Sequence, residues 1–280
     1  MAGHVEKVAL RRCPLSPFRS ISIVIPAYNE AERLGPTLDR VVSFAETSGW
    51  SAEIIVVDDG STDGTADLVR SYARKRGTIR LVQNPGNHGK GYSVRNGVLN
   101  AGGEFILFTD ADMSSPIEEA PKLLEVLAEG ADIAIGSRWA RSELQTRRQS
   151  LTRQFLGRVF NLLLRMILRL DFKDTQCGFK AFRREAARAV FPRQSIEGWG
   201  FDPEILFLAH RAGFRIVEVP VRWGHDTRTR INPLLDGARM VSDMLLIRWN
   251  SISGKYRESA RPVVQDTQQQ RVSTDVNSAA

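Results

Sequence analysis

The sequence predicts an α/β protein with a single domain, in which a mostly parallel sheet is flanked by helices. Two observations predict this fold. Short apolar segments rich in Val and Ile alternate with helical patterns between residues 21 and 109, as in a parallel sheet with helical crossovers. The 280 residues are 42% apolar and 25% charged, an ordinary composition for a globular protein with a full core.

The first half of the chain supplies four predicted strands and three predicted helices. Each strand is a short run of β-branched or aromatic residues that stops at a polar residue, Gly or Pro. The predicted strands are 21–25, 53–57, 79–83 and 105–109, and the helices between them are 30–47, 65–76 and 91–101.

The second half continues the alternation less regularly. After a short strand at 133–135 we predict a mobile polar loop at 141–148 and an amphipathic helix at 151–170. The remaining predicted elements are a turn and strand at 174–182, a helix from 202 to 212, a strand at 215–220 and a second amphipathic helix at 233–249.

We expect the domain to occupy residues 20–253, divided into a first half, 20–135, and a second half, 136–253. Residues 1–19 predict a flexible arm, because they lack the apolar region of a secretory signal. Residues 254–280 are polar and nearly without aromatics, which predicts a disordered tail. No run of about 18 uncharged apolar residues occurs, so no membrane-spanning helix is predicted.

The formal net charge of +7 favours polyanionic partners, a class that includes nucleic acid, anionic lipid and phosphorylated substrates. A nucleic-acid-binding module is disfavoured because the basic residues are not interleaved with aromatics along a platform. A nicotinamide-dependent dehydrogenase is disfavoured because no GxGxxG follows the first strand. Cys13 and Cys177 form no CxxC pair, which indicates neither a zinc site nor a disulfide framework and favours the reduced cytosol.

Acidic clusters directly follow three predicted strands, and they are Tyr28-Asn29-Glu30, Asp58-Asp59 and Asp110-Ala111-Asp112. Ligands of parallel sheets bind at the carboxyl ends of the strands, so the three clusters should converge on one edge. Asp110 and Asp112 are close enough in sequence to share one Mg²⁺ or Mn²⁺ ion together with substrate phosphates. The alternative is that they cap the next helix.

Four motifs of the first half occur in a specific order and spacing: Ser22-Ile-Val-Ile-Pro-Ala-Tyr-Asn-Glu-Ala-Glu32, Val57-Asp-Asp-Gly-Ser-Thr-Asp-Gly-Thr65, Gly86-Asn-His-Gly-Lys-Gly91 and Asp110-Ala-Asp112. Over about residues 20–135 the chain thereby resembles the family 2 glycosyltransferases of the Rossmann-like GT-A fold. The resemblance implies a nucleotide-sugar donor, inversion at the anomeric carbon and a divalent metal at Asp110 and Asp112.

The resemblance also implies roles for single residues of the donor half. A base and ribose pocket would be lined by Pro26, Tyr28 and Glu30, while Asp58, with Asp59 beside it, would accept a hydrogen bond from the base. Lys90 would approach the donor diphosphate, with Gly91 and Ala111 in the same donor site. The alternative for Lys90 is an exposed loop lysine. A Walker loop is excluded because the glycine spacing is short and Gly91 stands at the Ser/Thr position.

The second half carries Gly136-Ser-Arg138, Arg153-x-x-x-Gly-Arg-x-x-Asn161, Asp174-Thr-Gln-Cys-Gly-Phe-Lys-Ala-Phe182 and Gly198-Trp-Gly-Phe-Asp-Pro-Glu204. These motifs resemble the polyprenyl-phosphate branch of the family, especially dolichyl-phosphate β-glucosyltransferases. The resemblance implies that Ser137, Arg138 and Arg153 bind the acceptor phosphate and that Trp199 and Asp202 form the acceptor edge. It also implies a catalytic role for Asp174, which could equally cap the following turn.

The predicted helix at 151–170 separates basic from apolar residues. Arg158, Arg165 and Arg169 share one sector, and the opposite side is apolar, with Phe155, Val159, Leu162, Leu163, Met166, Ile167 and Leu170. Such a helix can lie in the interface of an anionic membrane, with the helix at 233–249 beside it. The alternative is a surface helix packed on the sheet.

The resemblance therefore implies a metal-dependent hexosyltransferase that moves a hexose to a polyprenyl phosphate, with glucose from UDP-glucose as the favoured donor. It would be cytoplasmic, with peripheral contact to the inner face of the membrane, and would have no nucleic-acid partner. Two alternatives remain open: transfer of mannose from GDP-mannose, and a family 2 transferase with a soluble acceptor.

Overall fold

One seven-stranded sheet runs through the computed structural model, which describes residues 20–138, 162–224 and 233–258. Its strands are β1 (Ser20–Ala27), β2 (Ser51–Asp58), β3 (Ile79–Gln83), β4 (Phe105–Thr109), β5 (Ile133–Ser137), β6 (Phe179–Arg183) and β7 (Ile216–Pro220). They lie in the order β3-β2-β1-β4-β6-β5-β7. Only β6 runs antiparallel to its neighbours, so the prediction of a mostly parallel sheet is confirmed.

Helices cover both faces of this sheet. They are α1 (Ala31–Thr47), α2 (Thr65–Lys75), α3 (Lys90–Leu99), α4 (Ala120–Ala128), α5 (described over 162–168), α6 (Arg184–Val190), α7 (Phe201–Arg211), α8 (Pro233–Ile252) and α9 (Lys255–Glu258). Among the described residues, none of the helices combines the length and the apolar character needed to cross a bilayer.

Alternate residues of the central strands face two separate cores. Val24 packs in a core with α3, α6, α7 and α8, whereas Ile23 and Ile25 pack in a core with α1, α2 and α4. Successive side chains of a strand point to opposite faces of a sheet, so a strand covered on both sides must be apolar throughout. This double covering explains the continuous apolar runs in the sequence.

The sequence patterns do not predict α4, α6 or α9. In α4, Leu123 and Leu127 lie one turn apart and are fully buried, but nine residues are a short pattern beside the long amphipathic helices. The helix α9 lies within the tail that we predicted to be disordered from residue 254. Since Tyr256 of this helix is buried, the folded region extends past residue 253. The predicted arm at 1–19, the polar loop at 141–148 and Arg153 lie outside the described residues.

The strand directions bring the polar motifs to one edge of the sheet. The parallel strands β1, β2, β4 and β5 all end there, and the antiparallel strand β6 begins there, since Thr109 of β4 pairs with Phe179 of β6. The loops after β1, β2 and β4 therefore meet the segment 174–178 that leads into β6.

Candidate active site

The segment Asp110-Ala111-Asp112 forms a tight turn directly after β4. The carbonyl of Asp110 accepts a hydrogen bond from the amide of Met113 at 3.2 Å, and the Oδ1 of Asp112 accepts one from the amide of Ser114 at 2.9 Å. The carbonyl of the buried Ala111 accepts a hydrogen bond from Thr37 Oγ1 of α1 at 2.7 Å. The turn is thus tied both to itself and to a neighbouring helix.

The two aspartates do not cap the next helix. A 3-10 turn begins at Ile117 after Pro116, and α4 follows it. Neither start has a side-chain cap hydrogen bond. The carboxylate of Asp112 instead stays within its own turn, bonded to Ser114. Burial and the nearby charge of Asp110 raise the pKa of Asp112. The alternative that the two aspartates cap the next helix is therefore wrong. Both carboxylates remain at the carboxyl end of β4.

Lys90, the first residue of α3, is not an exposed loop lysine. Its Nζ lies 2.5 Å from Asp110 Oδ1, and its side chain is only 14% exposed. Burial alone would lower the pKa of Lys90, but the charges of Asp110 and Asp202 outweigh burial and hold it above its usual value. The side chain of Lys90 is therefore positively charged beside Asp110 at any physiological pH.

Gly178 explains how the second half of the chain approaches Asp110. A Cβ atom built on Gly178 would overlap the carboxylate of Asp110. The segment before β6 can pass against the aspartate only because this residue has no side chain. Sequence reasoning noted the motif that contains Gly178 but did not assign the glycine a role.

The donor set at this turn fits a hard divalent cation. Carboxylate oxygens are ligands that Mg²⁺ and Mn²⁺ accept, and such ions need only one or two carboxylates when substrate phosphates and water complete the shell. Within the part of the chain that the structure describes, no group of three or more His, Cys, Asp or Glu residues suits a metal ion. Such an ion would be held at the strand end by the carboxylates of Asp110 and Asp112.

The loops after β1 and β2 are joined to each other. The amide of Asn29 donates to Ser61 Oγ and the amide of Glu30 donates to Thr65 Oγ1, both at 2.9 Å. Asn29 has a φ of 52°, a left-handed conformation that asparagine tolerates better than most residues. These bonds fix the relative positions of the first two acidic clusters.

The residues predicted to bind the nucleotide lie around these joined loops. Pro26 lies near the end of β1, and Tyr28 follows it with 38% of its surface exposed. Asp58 ends β2, is buried, and accepts hydrogen bonds from the Ser61 amide at 3.2 Å and Gln83 Nε2 at 3.3 Å.

Glu30 has an ionic partner that sequence reasoning did not identify. Its two carboxylate oxygens lie 2.6 Å and 2.5 Å from Nε and an Nη of Arg33, one turn along α1. The pair fixes the direction of the Glu30 side chain at the entrance to the joined loops.

Asp59 shapes the loop that leads to Lys90. Its buried carboxylate accepts hydrogen bonds from Asn84 Nδ2 at 2.7 Å and from the amides of His88 and Gly89 at 3.0 Å and 2.8 Å. Gly91 follows in the first turn of α3, and a Cβ there would come within 2.7 Å of the Ile196 carbonyl oxygen. Asp59 therefore holds the glycine-rich loop from inside, and Gly91 allows the second half of the chain to pack on it.

Arg138 and Asp174, both predicted from the second half, form one ion pair, in which Asp174 is buried and Arg138 is 19% exposed. Nε and an Nη of Arg138 donate to the two carboxylate oxygens of Asp174 at 2.6 Å and 2.7 Å, and the Arg138 amide donates at 2.9 Å. Burial would raise the pKa of Asp174, but the guanidinium of Arg138 holds it below its usual value. Ser137 is buried at the end of β5 beside this pair.

A second buried pair holds Asp202, one of the two residues predicted to form the acceptor edge. Lys180 of β6 is fully buried, and its Nζ donates to Asp202 of α7 and to the Cys177 carbonyl. Sequence reasoning missed Lys180, although a lone lysine within an apolar strand is itself a signal of a buried partner. Trp199 completes the edge, since its ring centroid lies 5.0 Å from Lys90 Nζ.

The structure brings several of the predicted site residues together around Lys90. Lys90 contacts both Asp110 and Trp199. The negative charges of Asp202 and Asp112 also help to raise the pKa of Lys90. The Arg138–Asp174 unit lies at the end of β5, while Glu30 and Asp58 lie on the loops after β1 and β2.

Comparison with known proteins gives a family for this arrangement. Residues 22–191 match the family model described as glycosyl transferase family 2. A dolichyl-phosphate beta-glucosyltransferase of Trichomonas vaginalis is 39% identical over 239 residues, which cover 81% of this chain and 70% of the relative. A dolichyl-phosphate beta-glucosyltransferase of Mus musculus is 35% identical over 265 residues, covering 90% of this chain and 82% of the relative.

Solved structures with the same architecture support the fold. Glucosyl-3-phosphoglycerate synthase from Mycobacterium tuberculosis, in complex with Mn²⁺, uridine diphosphate and glucosyl-3-phosphoglycerate, has a TM-score of 0.64 at 22% identity. That alignment covers 86% of each chain. The same synthase in complex with Mn²⁺ and UDP-glucose has a TM-score of 0.61 at 23% identity, covering 82% of this chain and 79% of the synthase.

Proposed function

The chain belongs to glycosyl transferase family 2, and from this premise we propose that it transfers glucose from UDP-glucose to a polyprenyl phosphate of the dolichyl type. One observation carries the proposal: Asp110 of the strand-end pair contacts the largely buried side chain of Lys90, and Gly178 of the second half packs against the same aspartate. The sequence relatives support this acceptor, since proteins of that activity match over most of the chain.

On the donor side, the joined loops after β1 and β2 receive the nucleotide. Asp58 accepts a hydrogen bond from the base, and Tyr28 presents its half-exposed ring at the same loops. Lys90 is charged and already directed at Asp110, so it can exchange that contact for the donor diphosphate. Asp110 and Asp112 would hold Mg²⁺ or Mn²⁺, which would neutralise the charge that develops on the departing diphosphate.

On the acceptor side, the nucleophile is the phosphate itself. A phosphate monoester is already an anion near neutral pH, so one of its oxygens can attack the anomeric carbon without a strong general base. The new C–O bond forms as the bond to the diphosphate breaks, and uridine diphosphate leaves with the electron pair. Attack from the opposite face inverts the anomeric centre, and positioning and charge compensation supply the rate.

Asp174 acts in this scheme as a positioning residue. Its depressed pKa and bidentate bond to Arg138 suit a carboxylate that orients a guanidinium, not one that takes up a proton. Arg138, Arg153 and Ser137 would then hold the acceptor phosphate, with planar guanidinium donors matching its oxygens.

A panel assay tests the proposed reaction. Purified protein with Mg²⁺ is incubated with UDP-glucose or GDP-mannose and with a short polyprenyl phosphate or a soluble phosphate monoester, and products are identified by mass. We expect a hexosyl lipid phosphate from UDP-glucose. A mannosyl product would instead establish the GDP-mannose alternative, and a product on the soluble monoester alone would overturn the lipid acceptor.

We also infer peripheral contact with the cytoplasmic face of a membrane. On α8, Leu245, Trp249 and Ile252 are 57%, 67% and 73% exposed, while Met244 and Ile247 of the same helix lie in the core. On α5, Leu162 and Met166 are exposed, and Leu164 and Leu168 are buried. Asp243 of α8 packs against Gly200, next to Trp199. Large exposed apolar side chains on this helix suit a protein whose acceptor lies in a bilayer.

The apolar division of α5 differs from the predicted helical wheel. The wheel places Leu162, Leu163, Met166, Ile167 and Leu170 on one apolar side, but in the structure Leu164, Leu168 and Leu170 enter the core. The described part of α5 therefore packs on the protein core, in line with the alternative of a packed surface helix. It still exposes Leu162 and Met166 together with Arg165 and Arg169.

Vesicle flotation tests the membrane contact. Replacing Trp249 and Leu245 by Ser should lower the fraction bound to anionic vesicles at low salt. Leu99→Ser is the matched control, because Leu99 is also exposed but lies at the end of α3. Equal binding by both variants would overturn the assignment of this surface to α8.

A further inference from the structure

One buried carboxylate organises the loop that carries Trp199. Glu204 of α7 is fully buried, and it accepts hydrogen bonds from the amides of Ser195 and Ile196 at 3.0 Å and 2.8 Å and from Ser195 Oγ at 2.7 Å. Because a buried carboxylate needs several donors, these bonds determine where the loop 195–199 begins.

The last two helices complete this network. Tyr256 Oη of α9 donates to Glu204 at 2.8 Å, and Asn250 Nδ2 of α8 donates to Ser195 Oγ at 3.2 Å. Both side chains are buried, with 8% and 3% exposure. The helices α8 and α9 are therefore bonded to the start of the loop 195–199.

The other end of this loop lies on the donor side of the site. The carbonyl of Glu197 accepts a hydrogen bond from the Tyr92 amide at 3.1 Å, and it packs so closely on Gly89 that a Cβ there would come within 2.8 Å. Trp199 follows, with its ring on Lys90. The loop thus spans the distance between the C-terminal helices and the lysine that contacts Asp110.

We infer that Tyr256 and Asn250 are positioning residues for the acceptor: through Glu204 and Ser195 they hold the loop 195–199 so that Trp199 stays against Lys90. This inference rests on the proposed function. The donor loop is held independently by Asp59, through Asn84, His88 and Gly89. Loss of the C-terminal contacts should therefore affect the acceptor more than the donor.

The experiment compares Tyr256→Phe with Tyr72→Phe in the full chain. Tyr72 is the matched control, because its hydroxyl also donates to a carboxylate, Asp39 Oδ2 at 3.1 Å, but it lies on α2. We expect Tyr256→Phe to raise the KM for a short polyprenyl phosphate about fivefold to tenfold, with the KM for UDP-glucose within about twofold of the wild type. Tyr72→Phe should change neither constant.

Hydrogen exchange separates this inference from the proposed function. The amides of Ser195 and Ile196, which Glu204 binds, should exchange about tenfold faster in Tyr256→Phe than in Tyr72→Phe. If the wild type gives no product, the proposed function fails, and the exchange rates alone then decide whether Tyr256 holds the loop. Equal exchange in the two variants, or faster exchange with an unchanged acceptor KM, overturns the inference.

Asn250→Ala provides a second variant if Tyr256→Phe does not fold. Asn250 donates to Ser195 Oγ and not to Glu204 itself. Asn250→Ala should therefore raise the acceptor KM less than Tyr256→Phe does, again with the KM for UDP-glucose unchanged. An acceptor KM equal to that of the wild type would overturn the role of Asn250.

Discussion

The proposed site has a donor half, built from the first half of the chain, and an acceptor half, built from the residues that follow. These two halves are built in different ways. In the donor half, the hydrogen bonds between the loops after β1, β2 and β3 join residues 25 to 35 positions apart, such as Asp59 with Asn84 and Glu30 with Thr65. In the acceptor half, Ser195 is bonded to Asn250 and Glu204 to Tyr256 across 55 and 52 positions. Successive strand loops suffice for the donor half, whereas the acceptor half also needs α8 and α9.

The two halves also use their charges differently. In the donor half Lys90 contacts Asp110 at the strand end, where 31% of the Asp110 side chain is exposed. In the acceptor half two cations are committed to buried carboxylates, Arg138 to Asp174 and Lys180 to Asp202. Variants of the donor half should therefore act on turnover, and variants of the acceptor half should act on stability as well.

The largest effect is expected from Asp112→Ala in the donor half. Removing one of the two strand-end carboxylates should lower kcat about 1000-fold, because charge on the departing diphosphate is no longer compensated. The measurement is the rate of lipid product formation with and without EDTA. Asp67→Ala is the control, since Asp67 is an exposed carboxylate paired with Arg70. Near-normal turnover of Asp112→Ala with EDTA present would contradict the account.

A smaller effect is expected from Gly178→Ala, which tests the contact between the halves. The added Cβ would overlap the Asp110 carboxylate and displace it, so kcat should fall about 10-fold to 100-fold. Gly77→Ala is the control, because a Cβ there meets nothing within 4 Å. Wild-type turnover in Gly178→Ala would show that the second half does not constrain Asp110.

Arg138→Ala should separate the halves by stability. It leaves the buried carboxylate of Asp174 without its partner, which costs about 3 kcal/mol of the free energy of unfolding. Urea denaturation measures this loss, and Arg70→Ala, from an exposed pair, should change it by less than about 0.5 kcal/mol. The same variant should raise the KM for the lipid phosphate more than that for the donor. A stable variant with an unchanged acceptor KM would refute both roles of Arg138.

The pH dependence of stability gives the smallest and most specific signal. The pKa of Asp174 is lower in the folded protein than in the unfolded chain, so the unfolded state binds more protons as the pH falls. Its contribution is complete above about pH 4 and is lost as the pH falls from there through the folded pKa. Asp174→Asn should remove this part of the acid limb. An acid limb identical to the wild type's would mean that Asp174 does not act through its charge.

The same difference between the halves explains how much the sequence could predict. The strands, the shared edge and the turn of Asp110 and Asp112 follow from local patterns, because each motif comes directly after its own strand. Gly178, Lys180 and Tyr256 were not identified, since their importance depends on partners 20 to 70 residues away that no local pattern specifies. The short helices α4 and α6 were missed for another reason, because seven to nine residues give a weak periodic signal.

The most direct test of the account is the binding of Mn²⁺ in the presence of uridine diphosphate, measured by electron paramagnetic resonance. We predict that the wild type and Asp67→Ala have the same affinity for Mn²⁺, whereas Asp112→Ala binds it at least about tenfold more weakly. Equal Mn²⁺ affinity in all three proteins would contradict the claim that the strand-end aspartates form the metal and diphosphate site.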